Sequence, residues 1–193
     1  MALFPKNPAR ATKIFWQAYE WRSTYFADTK AVCSQEFLER SLRQENKDYE
    51  FCVESNLKNL AGEKIDGCTT FRPHLRITMD EVVYDLASRG DGPSRFSMCH
   101  EAAHLILHSE DGRTRNITQL NRGVPYSGTS FKECAELETE ANFFAGCFLV
   151  PHTAVNAKTT PIEISERFKL SQIAAQKALK VIRVLCPEKW RLK

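Results

Sequence analysis

Apolar and polar positions along the chain keep two different rhythms. Behind an Asn7-Pro8 start, Ile14, Phe15, Ala18, Trp21, Tyr25 and Phe26 recur at helical spacing up to about residue 26. Asparagine suits the cap of such a helix and proline its first position, and the aromatic stripe suits a core face. A second helical pattern starts at Ser34 and ends near Gln44. From Asp48 to Asp80 the period shortens to two. Tyr49-Glu50-Phe51-Cys52-Val53 and Leu75-Arg76-Ile77-Thr78-Met79 alternate as half-buried strands do, with Gly62 and Gly67 punctuating the way to a third strand around residues 68–72. Helical spacing then returns at 94–108, where Phe96, Cys99, Ala103 and Leu107 form a stripe behind the Asp91-Gly92-Pro93-Ser94 turn and its capping serine. It returns again at 133–149, along Leu137, Ala141, Phe144 and Phe148. Thr160-Pro161 and Ser171 begin two last helices, 162–168 and 172–185. The pattern predicts a mainly helical α+β fold with a small sheet of about three strands packed on a central helix. Its first section is 1–157, with helices in 8–45, the sheet in 48–80 and further helices at 94–108 and 133–149. A helix-turn-helix-like segment follows at 158–193.

Charge narrows the function classes. The chain of 193 residues carries a net charge of +3, so the whole protein lacks the strong basic signature of a nucleic-acid binder. From residue 158 onward there are nine Lys/Arg against three Glu. A helix-turn-helix pattern with positive charge is a DNA-contact pattern. A packing element with solvated lysines is the favoured reading, given the near-neutral whole. There is no charged and apolar leader pattern, and the longest apolar stretch, around Phe143 to Val150, is too short to span a bilayer. The expectation is a cytoplasmic protein without a membrane partner. The seven cysteines stand singly, with no C-x-x-C pair, which suits reduced thiols rather than a disulfide framework or a zinc ribbon. Cys99 precedes the first histidine of the motif below, but on a helix it points away from it.

The chemistry is concentrated in His100-Glu101-Ala102-Ala103-His104, an H-E-x-x-H sequence. Two histidines four apart share one helix face, so both imidazoles can reach one zinc at about 2.0–2.1 Å. Glu101 sits about 100° round the helix, set back from the metal, where it can take a proton from water. A catalytic zinc needs a third protein ligand and an open position. The metzincin spacing places that ligand at position 110, which is Glu110, so that class is excluded. His108, at i+8 from His100, has drifted about 80° from the ligand face. It suits the helix C-terminus or a supporting contact behind a ligand.

The 133–149 helix offers the third ligand. Glu138 lies one turn from Asn142, so a carboxylate ligand and an amide for a ligand histidine's far nitrogen can come from one face. Glu140 is the alternative, but Phe144 follows it where such a partner would stand. Glu138 is preferred; Glu133 and Glu136 suit a solvated face.

Together these residues carry a family resemblance. Arg95-Phe96-Ser97-Met98-Cys99-His100-Glu101-Ala102-Ala103-His104-Leu105-Ile106-Leu107-His108 resembles the metal helix of the ImmA/IrrE metallopeptidases. Glu138-x-x-Ala141-Asn142-x-Phe144-Ala145 followed by Phe148-Leu149-Val150-Pro151 is similar to their third-ligand helix. The 34-position separation of His104 and Glu138 also suits them. Phe168-Lys169-Leu170-Ser171-x-x-Ala174 looks like their C-terminal turn. Ala103 stands where the family usually has glycine, and Ala102 where it has a larger apolar residue. The resemblance implies a minimal gluzincin-like metallopeptidase, with His100, His104 and Glu138 as zinc ligands and Glu101 as the catalytic glutamate. It further implies a protein substrate, a helix-turn-helix transcriptional repressor, whose cleavage relieves repression in a stress, phage or mobile-element response. In that family the C-terminal segment helps present substrate.

Some roles stay open at this level. Tyr126, in the Gly123-Val124-Pro125-Tyr126-Ser127-Gly128 loop, and His152 are both candidate oxyanion donors. The strand of Leu75, Ile77 and Met79 is a candidate to hold substrate by β-augmentation; an ordinary internal strand is the equal alternative. A His₂Glu site also accepts manganese or cobalt. The competing function is a non-catalytic regulator that binds a repressor or DNA through 158–193 over a structural or empty metal site. Against it stands Glu101, for which a structural zinc has no use.

Overall fold

A computed structural model describes residues 3–59, 61–111, 119–120 and 131–190. The elements run α1 (Pro8–Tyr25), α2 (Ser34–Glu36), a π-helical turn (Phe37–Ser41), α3 (Leu42–Glu45), β1 (Glu50–Glu54), β2 (Gly67–Thr70), β3 (Arg76–Asp80), α4 (Glu81–Ser88), α5 (Gly92–His108), β4 (Gln119–Leu120), α6 (Phe131–Leu149), α7 (Pro161–Phe168) and α8 (Gln172–Leu185). The mainly helical α+β class and the small sheet agree with the hydrophobic pattern.

Capping chemistry sets most of the boundaries. Asn7 Oδ1 accepts from the backbone N–H groups of Ala9 and Arg10 at 2.9 and 3.2 Å. Thr160 and Glu163 close a full capping box at the start of α7, and the Ser171 side chain accepts from Ala174 at the start of α8. At α5 the cap is Asp91 rather than Ser94. Its carboxylate takes the Ser94 N–H at 2.8 Å, so the helix begins two residues before the sequence pattern suggests. The helix α4 was not visible in that pattern. Asp80 ends β3 and caps α4 at once, accepting from Val82 N–H at 3.1 Å through Oδ1 and from Leu57 N–H at 3.0 Å through Oδ2. The Val82-Val83-Tyr84 run after it imitates a strand, because β-branched and aromatic residues favour one.

The sheet order is β1-β3-β2-β4, three strands with a two-residue fourth added to β2. β3 pairs in parallel with β1 and antiparallel with β2. Its backbone is therefore hydrogen-bonded on both sides, and it cannot accept a further strand. This corrects the assignment of Leu75, Ile77 and Met79 to substrate holding: Ile77 and Met79 are fully buried core residues, and Leu75 is half-buried against them.

The helices build one core. α5 packs on α6, and Phe37 stacks on Phe148 with ring centroids 4.3 Å apart. The apolar faces of α7 and α8 (Ile164, Phe168, Ala175, Leu179, Ile182) enter the same cluster as those of α1, α5 and α6. Helices α7 and α8 thus pack directly on the remainder. At the seam, Arg95 Nη1 donates to the carbonyls of Phe168 and Lys169 at 2.7 and 2.8 Å, and Nη2 to that of Val32. A Cβ on Gly92 would come within 3.0 Å of the Leu170 backbone, so only glycine lets the start of α5 approach the α7–α8 turn this closely.

α1 runs alongside α6 in the same direction: Lys6 meets Glu136, Arg10 meets Glu140, and Arg22 meets the carbonyls of Phe148 and Leu149. Arg22 is fully buried and also donates to the carbonyls of Ala27 and Lys30. Replacing Arg22 by methionine removes the side-chain donor from four carbonyls at the end of α6 and in the loop after α1. The expected loss is about 3 kcal/mol of unfolding free energy, measurable by urea denaturation.

Candidate metal centre

Two helices deliver three ligand atoms to one point. His100 and His104 project from the buried face of α5, and Glu138 faces them from α6; all three are buried. His100 Nε2 and His104 Nε2 are 3.0 Å apart. Glu138 Oε2 lies 3.2 Å from His100 Nε2, and Oε1 lies 3.1 Å from His104 Nε2. Ligands of a tetrahedral zinc at about 2.0–2.1 Å are separated by about 3.3 Å, so this triangle fits zinc with little adjustment. Burial pushes the Glu138 carboxyl up, but the adjacent His104 and His100 imidazoles outweigh it and hold the group well below the usual carboxylate range. The charged carboxylate a cation requires is therefore the favoured form.

Behind the triangle a second set of contacts supports His104. Its Nδ1 lies 3.2 Å from His108 Nδ1, and His108 Nε2 lies 3.2 Å from Glu140 Oε2. Glu140 in turn meets Arg10 from α1. The two carboxylates compared in the sequence thus have different places: Glu138 faces the two ε-nitrogens of the HExxH histidines, and Glu140 faces His108. Arg10 was not singled out in the sequence. It is 130 positions from Glu140, and no local pattern links them.

Glu101 is buried against the sheet. Its Oε2 accepts from the Thr69 hydroxyl of β2 at 2.8 Å, and the same hydroxyl lies 2.9 Å from the Glu101 carbonyl. Thr69 was also missed, although its place in an alternating strand upstream of the motif is the kind of signal that points at the next element. Gly67, two residues earlier, leaves room for Glu101: a Cβ there would lie 3.0 Å from Glu101 Cγ and 2.7 Å from Met79 Sδ. Asn142 turns its amide nitrogen back to the Glu138 carbonyl at 2.7 Å, so it braces the helix turn that carries Glu138. Cys99 is fully buried, burial pushes its thiol up to about 12, and it is not among the three side chains whose ligand atoms converge.

The two oxyanion candidates fare differently. Tyr126 lies outside the described residues. His152 sits beyond the C-terminal end of α6, its ring against Phe15, Trp16 and Tyr19 of α1. From Glu138 to the end of α6 alone is about 16 Å along the axis. That distance and the aromatic packing place His152 away from the ligand triangle, which corrects its assignment to the oxyanion. A cleft of about 410 Å³ is lined by Phe96 and Ser97 of α5, by Asn142 and Phe143 of α6, and by Ile173 and Lys177 of α8, and not by the ligands themselves.

Residues 87–180, which contain the whole triangle, match the IrrE N-terminal-like domain of peptidase family M78. Through this stretch the chain is similar to the ImmA/IrrE family. Both ligand helices, α7 and most of α8 lie within the match; α1 and strands β1 to β3 lie before it. No curated protein matches the chain. The match supports a peptidase-type activity acting on protein, and the His100–His104–Glu138 cluster supports metal binding. Among the described residues, no helix is long and apolar enough to cross a membrane.

Proposed function

We propose that the protein is a zinc-dependent metallo-endopeptidase that cleaves a helix-turn-helix transcriptional repressor and so relieves repression in a stress, phage or mobile-element response. The observation that carries the enzymatic part is the buried His100–His104–Glu138 triangle with Glu101 set beside it. The substrate class rests on the family resemblance alone. Manganese or cobalt fits the same donors, and the cytoplasm, where the repressor resides, is the proposed compartment.

Bound at His100, His104 and Glu138, zinc would supply Lewis acidity toward a scissile carbonyl and toward water. Glu101 acts as general base, taking the proton of the attacking water and returning it to the leaving amine. The Thr69 hydroxyl holds one carboxylate oxygen in place. Burial of the donors excludes bulk water from the centre.

The decisive experiment incubates the purified zinc-loaded protein with repressors of helix-turn-helix type drawn from the genes beside its own, and looks for a single cleavage by mass spectrometry. Cleavage that a chelator stops supports the proposal. Intact repressors together with intact unstructured peptides would overturn the enzymatic reading. Thr69→Val, which keeps shape and removes the hydroxyl, is expected to lower kcat about tenfold with zinc content unchanged.

A further inference from the structure

We propose that His108, Glu140 and Arg10 are positioning residues that fix the tautomer and orientation of His104 through one chain of hydrogen bonds. The inference rests on the metal reading above and concerns residues outside the ligand triangle. Each link is present: His104 Nδ1 to His108 Nδ1 at 3.2 Å, His108 Nε2 to Glu140 Oε2 at 3.2 Å, and Glu140 Oε2 to Arg10 Nη2 and Nε at 2.8 and 3.1 Å. His104, His108 and Glu140 are all nearly inaccessible to solvent, so these contacts are made at low dielectric, where they are strongest and where a mismatched proton is most unfavourable.

With His108 neutral, these contacts admit one proton placement. Arg10 is a donor only, so it favours Glu140 as a carboxylate, which accepts only. His108 Nε2 must then carry the hydrogen, and a neutral His108 is left with a bare Nδ1. That bare nitrogen accepts from His104 Nδ1–H. His104 therefore presents a lone pair at Nε2, the atom that faces His100 and Glu138. A carboxylate behind a ligand histidine is a common support; here a second histidine is interposed, and the polarity set by Arg10 is transmitted through it. Arg10 also lies 3.5 Å from the Leu107 carbonyl and 3.7 Å from Asp111, so the same guanidinium ties α1 to the end of α5. A helix outside the family match thereby contributes to the metal centre.

The test uses the full-length protein and zinc itself. Imidazole ¹⁵N NMR of the zinc-loaded wild type should find His108 neutral and protonated at Nε2; protonation at Nδ1 overturns the chain directly, with no variant required. Zinc affinity is then measured by competition with a chromophoric chelator. Glu140→Gln and Arg10→Met are each expected to weaken zinc 10- to 100-fold. In the double variant the losses should fall short of the product of the two. Arg10 is a quarter exposed, so Arg10→Met remains informative if the Glu140 variant does not fold. Unchanged affinity in folded Arg10→Met or Glu140→Gln overturns the proposal while leaving the metal reading intact. A wild type that takes up no zinc overturns both.

Discussion

Glu138→Ala is expected to leave the purified protein almost free of zinc, whereas Glu140→Ala retains up to one zinc per chain and holds it less tightly. The two carboxylates are two residues apart on α6, yet they sit in unlike places. Glu138 contributes two oxygens about 3.1–3.2 Å from the histidine ε-nitrogens, and Glu140 lies behind His108, 3.2 Å from its Nε2. Zinc sites release roughly 10–16 kcal/mol on binding, so removing one of a few ligands weakens the ion by about 3 kcal/mol or more, at least a hundredfold. Elemental analysis after dialysis against a moderate chelator separates the variants. Binding that also ties α5 to α6 stabilises the folded state, so zinc should raise the melting temperature of the wild type and leave that of Glu138→Ala nearly unmoved. Loss of zinc only in Glu140→Ala would reverse the assignment of ligand and support.

Glu101→Gln is expected to reduce peptide cleavage by 10²- to 10⁴-fold, the range that a positioned general base contributes, while zinc content stays near that of the wild type. Glutamine keeps the shape of the side chain and can still meet the Thr69 hydroxyl, so the β2 contact and the packing of α5 survive. What it loses is the lone pair that accepts a proton from water. This variant separates the enzyme from the regulator: full biological activity in cells with Glu101→Gln would mean that the protein works by binding, and the metal would then serve the fold. A stalled complex between Glu101→Gln and an uncut repressor would support catalysis and identify the substrate at once.

Most of the metal centre was legible from spacing because its parts are local. His100, Glu101 and His104 lie within one and a half turns, and helical geometry alone puts the two imidazoles on one face. Glu138 was legible by comparison with Glu140, because the turn that holds it repeats at Asn142. The expected partner of Asn142 differs, however: its amide nitrogen goes to the backbone of Glu138. What the sequence hid depends on chain reversal. Arg10 meets Glu140 across 130 positions, Thr69 meets Glu101 across 32, and neither pairing leaves a periodic trace. Strand order is hidden for the same reason. Leu75, Ile77 and Met79 alternate like any half-buried strand, and only the pairing on both sides excludes them from substrate binding. His152 was an error of the same kind, since nearness in sequence to α6 concealed the length of that helix.

The helix bearing His100 and His104 is gripped near both ends by distant parts of the chain. At its start Arg95 holds the carbonyls of Phe168 and Lys169, and at its end Arg10 of α1 meets the Leu107 carbonyl. Translation delivers these partners in an unequal order. A growing chain that has passed residue 138 but not residue 168 already contains all three ligands, yet lacks one of the two grips. Whatever activity the centre has therefore matures late, after the C-terminal helices have left the ribosome and docked. Nascent and truncated chains would be poor proteases, and the cell would be spared an unfinished enzyme of uncertain specificity.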